Sequence, residues 1–388
     1  MHIVILPTWY STADKPWRGT YVQDQAVALD RAGHRTAVAF VERRSLWRFN
    51  FLRLISNHFQ TVVQAERGIP TLRMKGWSTF AQTTRGSLLW SRLTQKLLRS
   101  YVDGNGVPDV IHGHAALWGG YAAMKCAEVF GCPYVVTEHS SSILTQKLDG
   151  EQREYAASVY RNASAVIAVS GALKAAVDEI AGTPVAEVVP NTVDTEFFHV
   201  PRQRRSRRFT FLAVCDLDAS KRMDLLIGAF VRLRLAHRDI RLVIAGSGKE
   251  AGHLSSLVRA LDAEQDIHFT GALPRWSVRQ QMWAANALVL PSDYETFGVV
   301  AVEALSTGIP VVATRCGGPE EIMSEETGIL VPRGDREGLA AAMEQVMHRR
   351  FDPNTLHEAA LRRYGHDVIA ERLLDVYSKV TGQRRAVA

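Results

Sequence analysis

The densest group of residues able to do chemistry lies at positions 291–304, where two glutamates flank a glycine. Apolar residues 287–290 predict a strand, a polar loop with Glu295 follows, and a predicted helix opens near Gly298 and contains Glu303. The first N–H groups of such a helix have no partner within it and attract phosphate. Gly298 carries no side chain, so a ligand can approach the backbone closely. The segment predicts an anion site with a carboxylate on each side.

The position of Glu303 within the predicted helix suggests a specific ligand. It lies about 7–8 Å along the helix axis from Gly298, comparable to the distance from the outer phosphate of a nucleoside diphosphate to its ribose. We therefore expect Glu303 to bind ribose hydroxyls and Glu295 to contact a sugar beyond the phosphate. The alternative makes Glu295 a surface acid and Glu303 a solvated helix residue. The apolar neighbours Val302 and Ala304 favour the first interpretation.

The elements that position these residues form an alternating pattern. Short apolar runs alternate with amphipathic helical segments along nearly the whole chain, which predicts an α/β fold with parallel sheets covered on both faces. The predicted strands are residues 2–6, 36–41, 109–111, 134–137, 165–169, 187–189, 209–215, 241–245, 267–270, 287–290, 310–313 and 329–331.

The alternation stops and restarts near residues 190–208, which predicts two doubly wound, Rossmann-like domains. Residues 201–208 contain five arginines and a proline, which favours an exposed linker over a nucleic-acid patch. We assign residues 1–195 to the first domain and 205–365 to the second. Ligands are expected in a cleft at the carboxyl ends of the strands.

Composition narrows the class of protein. The 388 residues are 46% hydrophobic and 22% charged, which argues against a disordered or fibrous chain. The net charge of +6 fits anionic small molecules or an acidic membrane surface and is too dispersed to indicate nucleic acid. The four cysteines form no CxxC pair, which favours reduced thiols in a cytoplasmic protein over a disulfide or a cysteine zinc site. The start of the chain predicts a strand and not a signal peptide, and no apolar run is long enough to span a membrane.

Four motifs stand in a fixed order along the chain. By position they are VPNTVDTEFF at 189–198, Glu295-x7-Glu303 followed by GIPVVA at 308–313, GGPEE at 317–321, and TGILV at 327–331. Together they resemble the retaining glycosyltransferases of family 4, which have the GT-B fold. Each motif alone is weak evidence, but the set in this order is specific to the family, although not to a substrate. The resemblance covers most of the chain.

The resemblance implies a reaction and a separate role for each of the two domains. The domain at 205–365 would hold a nucleotide sugar, with either GDP or UDP, and the domain at 1–195 would present the acceptor, a glycan, lipid or secondary metabolite. The last segment, 366–388, would form a helix that packs back on the first domain. Transfer would retain the anomeric configuration, need no metal or other cofactor, and use the leaving phosphate oxygen to accept the acceptor's proton.

The resemblance also assigns residues. Lys221, Glu295 and His114 match positions that neutralise the diphosphate, orient the donor sugar and lie near the reacting carbon. His139 matches an acceptor-side histidine, and we interpret His112 as structural. Positions implied in donor binding are Gly19, Thr20, Phe297, Gly298, Val299, Val300 and Glu303, and the nucleotide base is expected near residues 271–275.

The chain departs from the family pattern after the strand at 209–215. Asp216 stands where relatives carry an arginine that neutralises the diphosphate. We hypothesise that Arg222, next to Lys221, supplies the missing charge to the donor. Asp216-Leu217-Asp218 also spells a DxD metal motif, but short acidic motifs are frequent by chance, and we predict no metal site here.

Other interpretations stay open. A sugar-nucleotide epimerase would convert donor without acceptor, and a binding protein with a degenerate donor site would bind nucleotide without transfer. A dehydrogenase is disfavoured because the glycine fingerprint is missing. Residues 43–55 mix arginine with bulky apolar residues, which fits a core or pocket helix better than one resting on an anionic bilayer.

Overall fold

The computed structural model describes residues 1–12, 15–45, 60–78, 84–202 and 208–382. The chain forms two compact units. The first unit comprises Met1–Thr192 and His366–Ala388, and the second comprises Val193–Gly365. Among the residues described in these ranges, no helix combines the length and apolar character needed to cross a bilayer.

The first unit contains an eight-stranded sheet in the order β3-β4-β2-β1-β5-β6-β7-β8. Its strands are β1 His2–Pro7, β2 Arg35–Ser45, β3 Gln60–Glu66, β4 Ile69–Ser78, β5 Val110–His114, β6 Tyr134–Glu138, β7 Ala165–Ala168 and β8 Ala186–Val188. Its helices are α1 Thr20–Arg31, α2 Thr84–Asn105, α3 Tyr121–Phe130, α4 Ser141–Leu144, α5 Gly150–Asn162, α6 Gly171–Ala181 and, at the end of the chain, α14 His366–Thr381.

The second unit contains a six-stranded parallel sheet in the order β11-β10-β9-β12-β13-β14. Its strands are β9 Phe209–Val214, β10 Ile240–Ala245, β11 Ile267–Gly271, β12 Ala287–Leu290, β13 Val311–Thr314 and β14 Gly328–Val331. Its helices are α7 Met223–Ala236, α8 Ala251–Ala260, α9 Arg275–Ala284, α10 Val299–Ser306, α11 Gly318–Ile322, α12 Arg336–His348 and α13 Pro353–Tyr364.

The central strands of both sheets are short runs of mainly apolar residues that are buried on both faces. In β1 the residues Ile3–Leu6 are fully buried, and β12 is buried along its whole length, as expected for parallel strands covered on both faces. The predicted α/β class is confirmed. Strand order reverses between β1 and β5 in the first sheet and between β9 and β12 in the second. Ligands of open α/β sheets bind at such reversals, at the carboxyl ends of the strands.

One part of the first sheet departs from the expected alternation. Strands β3 and β4 form an antiparallel hairpin, and β4 then pairs parallel with β2. The two turn residues, Arg67 and Gly68, both have positive φ, of 52° and 87°, which is the backbone of a tight two-residue hairpin. The sequence patterns predict neither strand.

Contacts of the segment after residue 192 explain where the first unit ends and the second begins. Val193 N donates to Tyr364 O over 2.9 Å, and Phe198 is fully buried, so the segment after residue 192 belongs to the second unit. The predicted limit of the first domain, residue 195, lies three residues beyond the observed limit at Thr192. Of the expected linker, residues 203–207 lie outside the described residues, as do residues 46–55 of the segment 43–55.

The C-terminal helix α14 is part of the first unit and packs on α1. Tyr377 on α14 is fully buried, and its hydroxyl lies 2.6 Å from His112 Nδ1. Ile369 and Leu373 extend the same core, which also contains Ile3 and Ile5 of β1. A segment that follows the second unit in sequence therefore completes the first.

Candidate active site

The two oppositely charged residues predicted for catalysis meet in the second unit, where its strand order reverses. Lys221 follows β9 and Glu295 follows β12, and Lys221 Nζ lies 2.7 Å from Glu295 Oε1. Ser292 Oγ donates to the same carboxylate oxygen over 2.8 Å. The side chains of Lys221 and Glu295 are 20% and 14% exposed, so Glu295 is a paired carboxylate rather than a surface acid.

The pair fixes the charge of Lys221. Burial alone would lower the pKa of the Lys221 ammonium, but the Glu295 carboxylate outweighs burial and raises that pKa above its usual value. The neighbouring Cys215 is a neutral thiol, because burial raises its pKa to about 12. The site therefore holds a permanent cation against a carboxylate.

The Arg222 guanidinium forms ion pairs with two carboxylates. Its Nε lies 3.1 Å from Asp224 Oδ1, and its Nη1 lies 3.2 Å from Asp293 Oδ1. These partners, with the Asp224 hydrogen bond first, raise the pKa of Arg222. Asp293 belongs to the same loop as Glu295, and Asp293 N donates to Ser220 O over 2.8 Å. Arg222 thus ties the loop after β9 to the loop after β12.

The DxD sequence forms a turn. The Asp218 carboxylate accepts a hydrogen bond from Ser220 N over 2.9 Å and caps the short 3-10 turn Ala219–Lys221. The Asp216 side chain is exposed. Within the described ranges, neither aspartate belongs to a cluster of His, Cys, Asp or Glu whose ligand atoms converge as a metal would require. Asp218 therefore shapes the loop that positions Lys221.

Two glycines after β10 lie against the backbone at the start of the loop that leads from β9 to Lys221. A Cβ on Gly246 would lie 1.8 Å from Cys215 O, and a Cβ on Gly248 would lie 2.1 Å from Leu217 O. Any side chain at either position would displace residues 215–217.

Gly298 is the N-cap of helix α10, as the sequence predicts, and the close approach of a ligand to its backbone stays a prediction. Gly298 has φ of 96°, and a Cβ there would meet its nearest neighbour, Pro319 Cγ, at an ordinary 3.6 Å. Backbone conformation, and not close approach within the unit, requires glycine. Val299 and Val300 form the half-buried first turn. The Phe297 side chain is 2% exposed and packs edge-on against Tyr364, so only its backbone is left for a ligand.

Glu303 is almost buried. It is 9% exposed, and its helix neighbours Ala301, Val302 and Ala304 are fully buried. A glutamate with so small an exposed fraction is not a solvated helix residue.

The nucleotide-base region predicted at residues 271–275 lies between β11 and α9. Gly271 has φ of 71°, and the Arg275 guanidinium stacks on Phe197 and Phe198 at 5.1 Å from each ring centre. Arg275 therefore packs against the segment that leads into the second unit.

In the first unit, Gly19 lies just before α1 in the loop after β1. Its φ is 71°, and a Cβ would lie 2.4 Å from Trp9 O, so only glycine fits. Thr20 is the first residue of α1 and is half-buried.

Two histidines touch each other at the carboxyl ends of neighbouring strands, where His114 ends β5 and His139 directly follows β6. His114 Nδ1 lies 2.9 Å from His139 Nε2, and the rings stack with centres 5.1 Å apart. Burial lowers the pKa of His139 to about 3 and holds the pKa of His114 well below its usual value, so both rings are neutral near pH 7. Their other nitrogens, His114 Nε2 and His139 Nδ1, are buried and have no hydrogen-bond partner among the described residues. Such atoms are rare in proteins unless a ligand or water satisfies them.

His112 is held entirely by its own unit. Its Nε2 lies 2.7 Å from Thr137 Oγ1, and its Nδ1 is within 3.0 Å of Gln25 Nε2 in addition to the Tyr377 hydroxyl. These contacts are those of a structural residue.

Glu138 lies beside the histidine pair, and the sequence patterns do not predict its contacts there. Its carboxylate is fully buried and accepts hydrogen bonds from three backbone N–H groups, those of Ala116, His139 and Ser140, at 2.7–2.9 Å. Tyr160 OH donates a fourth over 2.7 Å. Burial outweighs these bonds and raises the pKa of Glu138. Glu138 thus fixes the chain on both sides of the histidine pair. A lone acidic residue at the end of an apolar strand is the one sequence signal for it.

Comparison with known proteins matches both units to one kind of enzyme. A family model described as Glycosyltransferase Family 4 matches residues 19–197, and one described as Glycosyl transferases group 1 matches residues 194–363. A glycogen synthase of Mycobacterium tuberculosis (strain H37Rv) is 29% identical over 262 residues, which cover 65% of this chain and 63% of that protein. The putative teichuronic acid biosynthesis glycosyltransferase TuaC of Bacillus subtilis (strain 168) is 24% identical and covers 98% of this chain and 99% of its own.

Two solved structures show the same fold. Sucrose-phosphate synthase from Thermosynechococcus elongatus has a TM-score of 0.79 at 18% identity and covers 99% of this chain and 100% of its own. Anabaena HepE, solved with UDP and glucose, has a TM-score of 0.74 at 20% identity, with 97% and 99% covered. At these identities, the likeness establishes the fold alone.

Proposed function

The chain belongs to the glycosyltransferases of family 4, and from that membership we propose that it moves a sugar from a nucleoside diphosphate donor to an acceptor hydroxyl. The observation that carries the proposal is the Lys221–Glu295 pair, 2.7 Å apart where the strand order of the second sheet reverses. A cation for the diphosphate and a carboxylate for the sugar occupy the place where open α/β sheets bind ligands.

Donor binding uses three features of the second unit. The free N–H groups at the start of α10, at Val299 and Val300, receive a phosphate together with the Lys221 ammonium. Glu303, further along the same helix, accepts hydrogen bonds from the ribose. Glu295 contacts the transferred sugar. Since Glu295 already holds Lys221, the ammonium is fixed before the diphosphate arrives, and little conformational freedom is lost on binding.

The proposed reaction retains the anomeric configuration. The bond between the anomeric carbon and the phosphate oxygen breaks, the acceptor oxygen bonds to the same face, and the acceptor proton moves to the departing phosphate oxygen. Lys221 and the α10 amides stabilise the negative charge that develops there, so no metal ion is needed.

Two features of the first unit suit the binding of hydroxyl groups. His114 Nε2 and His139 Nδ1 are buried atoms with no hydrogen-bond partner in the described ranges. As neutral imidazoles they can each give or accept one hydrogen bond to a sugar or acceptor hydroxyl. Glu138 anchors the backbone of His139 and that of Ala116, two residues after His114.

Calorimetric titration of the full chain with UDP, GDP and ADP, each in EDTA, tests the donor site. We expect selective binding of one nucleotide, with the corresponding monophosphate as a weaker-binding control. Incubation of the matching nucleotide sugar with acceptors, followed by NMR of the product, then reads transfer and anomeric configuration. Binding only with added metal contradicts the metal-free site. Conversion of donor without acceptor indicates an epimerase, and binding with neither transfer nor hydrolysis indicates a nucleotide-binding protein.

Replacing Arg222 by alanine tests whether Arg222 supplies the positive charge that relatives carry as an arginine at the position of Asp216. We expect the affinity for the nucleoside diphosphate to fall about ten-fold, because a charged hydrogen-bond donor next to Lys221 is lost. Calorimetry measures the change. Arg232→Ala, on the helix α7 that follows Arg222 and paired with Glu337 instead, is the control. Unchanged affinity in Arg222→Ala means that Arg222 only joins the two loops.

A further inference from the structure

Three side chains with metal-binding atoms converge at the ends of two helices in the second unit. His237 is the C-cap of α7, while Glu344 and His348 lie one turn apart on the same face of α12. His237 Nε2 lies 2.8 Å from Glu344 Oε1, and the two histidine rings are 5.8 Å apart between centres. One ligand atom from each of the three residues lies within 4.8 Å of the other two.

The donor set and its surroundings suit a zinc-class cation. Two imidazoles and one carboxylate are ligands that Zn²⁺ takes at about 2.0–2.2 Å, which places neighbouring donor atoms roughly 3.4 Å apart in a tetrahedral site. Glu344 is 50% exposed and His237 22% exposed, so the short closing movement meets little packing and a fourth position stays open to water. Both helices also direct their negative C-terminal ends toward the cluster, which favours a cation.

The cluster lies away from the loops that hold Lys221 and Glu295. Helices α7 and α12 follow β9 and β14 and run back along the sheet in the same direction. The middle of α7, at Gly228 and Arg232, contacts the start of α12, at Arg336 and Glu337. His237 is three residues before β10 begins at Ile240, so the cluster lies at the amino-terminal edge of the sheet. A metal there takes no part in the proposed transfer.

We propose that His237, Glu344 and His348 form a structural binding site for a divalent transition metal of the Zn²⁺ type. The bound ion joins the end of α7 to the end of α12 and stabilises the second unit. The proposal is independent of the proposed glycosyl transfer, and it concerns a site on the opposite edge of the sheet.

Calorimetric titration of the metal-stripped full chain with zinc sulfate tests this site. We expect one zinc ion to bind with an affinity that falls at least about ten-fold in His348→Ala and in Glu344→Gln, because each loses a direct ligand. Both residues are exposed, so neither change disturbs the core. His253→Ala, which removes an exposed histidine on α8, is the matched control and should leave the affinity unchanged. Magnesium chloride should give no binding, since Mg²⁺ prefers oxygen ligands.

Thermal unfolding gives a second, independent measurement. A ligand that binds only the folded state raises the midpoint temperature, so zinc should raise it in the original protein and in His253→Ala but not in His348→Ala. Equal zinc affinity in all variants, or an equal loss in the control, means that zinc binds scattered surface histidines and overturns the proposal.

Discussion

Replacing Lys221 by alanine is expected to lower the turnover rate of sugar transfer by about 10²–10³-fold at saturating donor. The Lys221 ammonium is held 2.7 Å from Glu295, and its raised pKa keeps it protonated. In the proposed reaction it stabilises the charge that develops on the leaving diphosphate. Because that charge is greatest in the transition state, the loss should appear mainly in kcat rather than in donor affinity. Steady-state kinetics with the donor identified by calorimetry measure both quantities.

Two control variants make this result specific. Lys221→Arg keeps a positive charge and should recover part of the rate, whereas Lys125→Ala, which breaks an exposed pair with Glu128, should have no effect. Removing Lys221 also leaves Glu295 without its cation, so Lys221→Ala with Glu295→Gln measures the coupling of the two residues. A rate near that of the original protein in Lys221→Ala would remove Lys221 from the mechanism.

Replacing Glu303 by alanine is expected to weaken binding of the cognate nucleoside diphosphate by about 10–100-fold, the value of hydrogen bonds to a charged acceptor. Glu303 is 9% exposed on α10, between the fully buried residues Val302 and Ala304. The proposed donor site places this carboxylate against the ribose when phosphate binds at the start of α10. Calorimetry of the purified variant measures the loss.

The matching deoxynucleotide separates a ribose contact from a general disturbance of the helix. The original protein should bind the nucleoside diphosphate more tightly than its 2′-deoxy form, and Glu303→Ala should lose that preference. Glu358→Ala, at an exposed position on α13, serves as the control. If Glu303→Ala weakens both ligands equally and the preference persists, the ribose assignment is wrong.

Much of the fold is predictable because buried parallel strands are short apolar runs. The strands of the second sheet lie within one residue of their predicted limits, and β12 matches its predicted limits fully. The predicted family, with its GT-B class of paired Rossmann-like domains, is confirmed. The β3–β4 hairpin is not predictable in this way. Every residue of β3 from Gln60 to Ala65 is exposed, so the strand carries no buried face for a pattern to report. Its turn, at Arg67 and Gly68, also lacks the common Asn-Gly signal.

The candidate site likewise contains residues that local sequence patterns predict and contacts that they do not. Motif spacing predicts Glu295 and Glu303, and the resemblance to the family predicts Lys221, because each lies in a local strand–loop–helix segment. The contact between Lys221 and Glu295 depends on β9 and β12 being neighbours, and strand order is a non-local property. Glu138 is missed for a related reason. Its partners at Ala116 and Tyr160 come from segments on either side of it, and no local pattern joins them.

The placement of α14 has a consequence for how the protein is made. The second unit is continuous from Val193 to Gly365, whereas the first unit needs residues 366–381, which leave the ribosome after all of the second. Until Tyr377 arrives, β5 lacks the hydroxyl that contacts His112, and the core around Ile3 and Ile5 lacks one side. Domains generally fold in the order of their synthesis. In this chain the unit that starts first finishes last, and its incomplete apolar face must persist while the whole second unit is being translated.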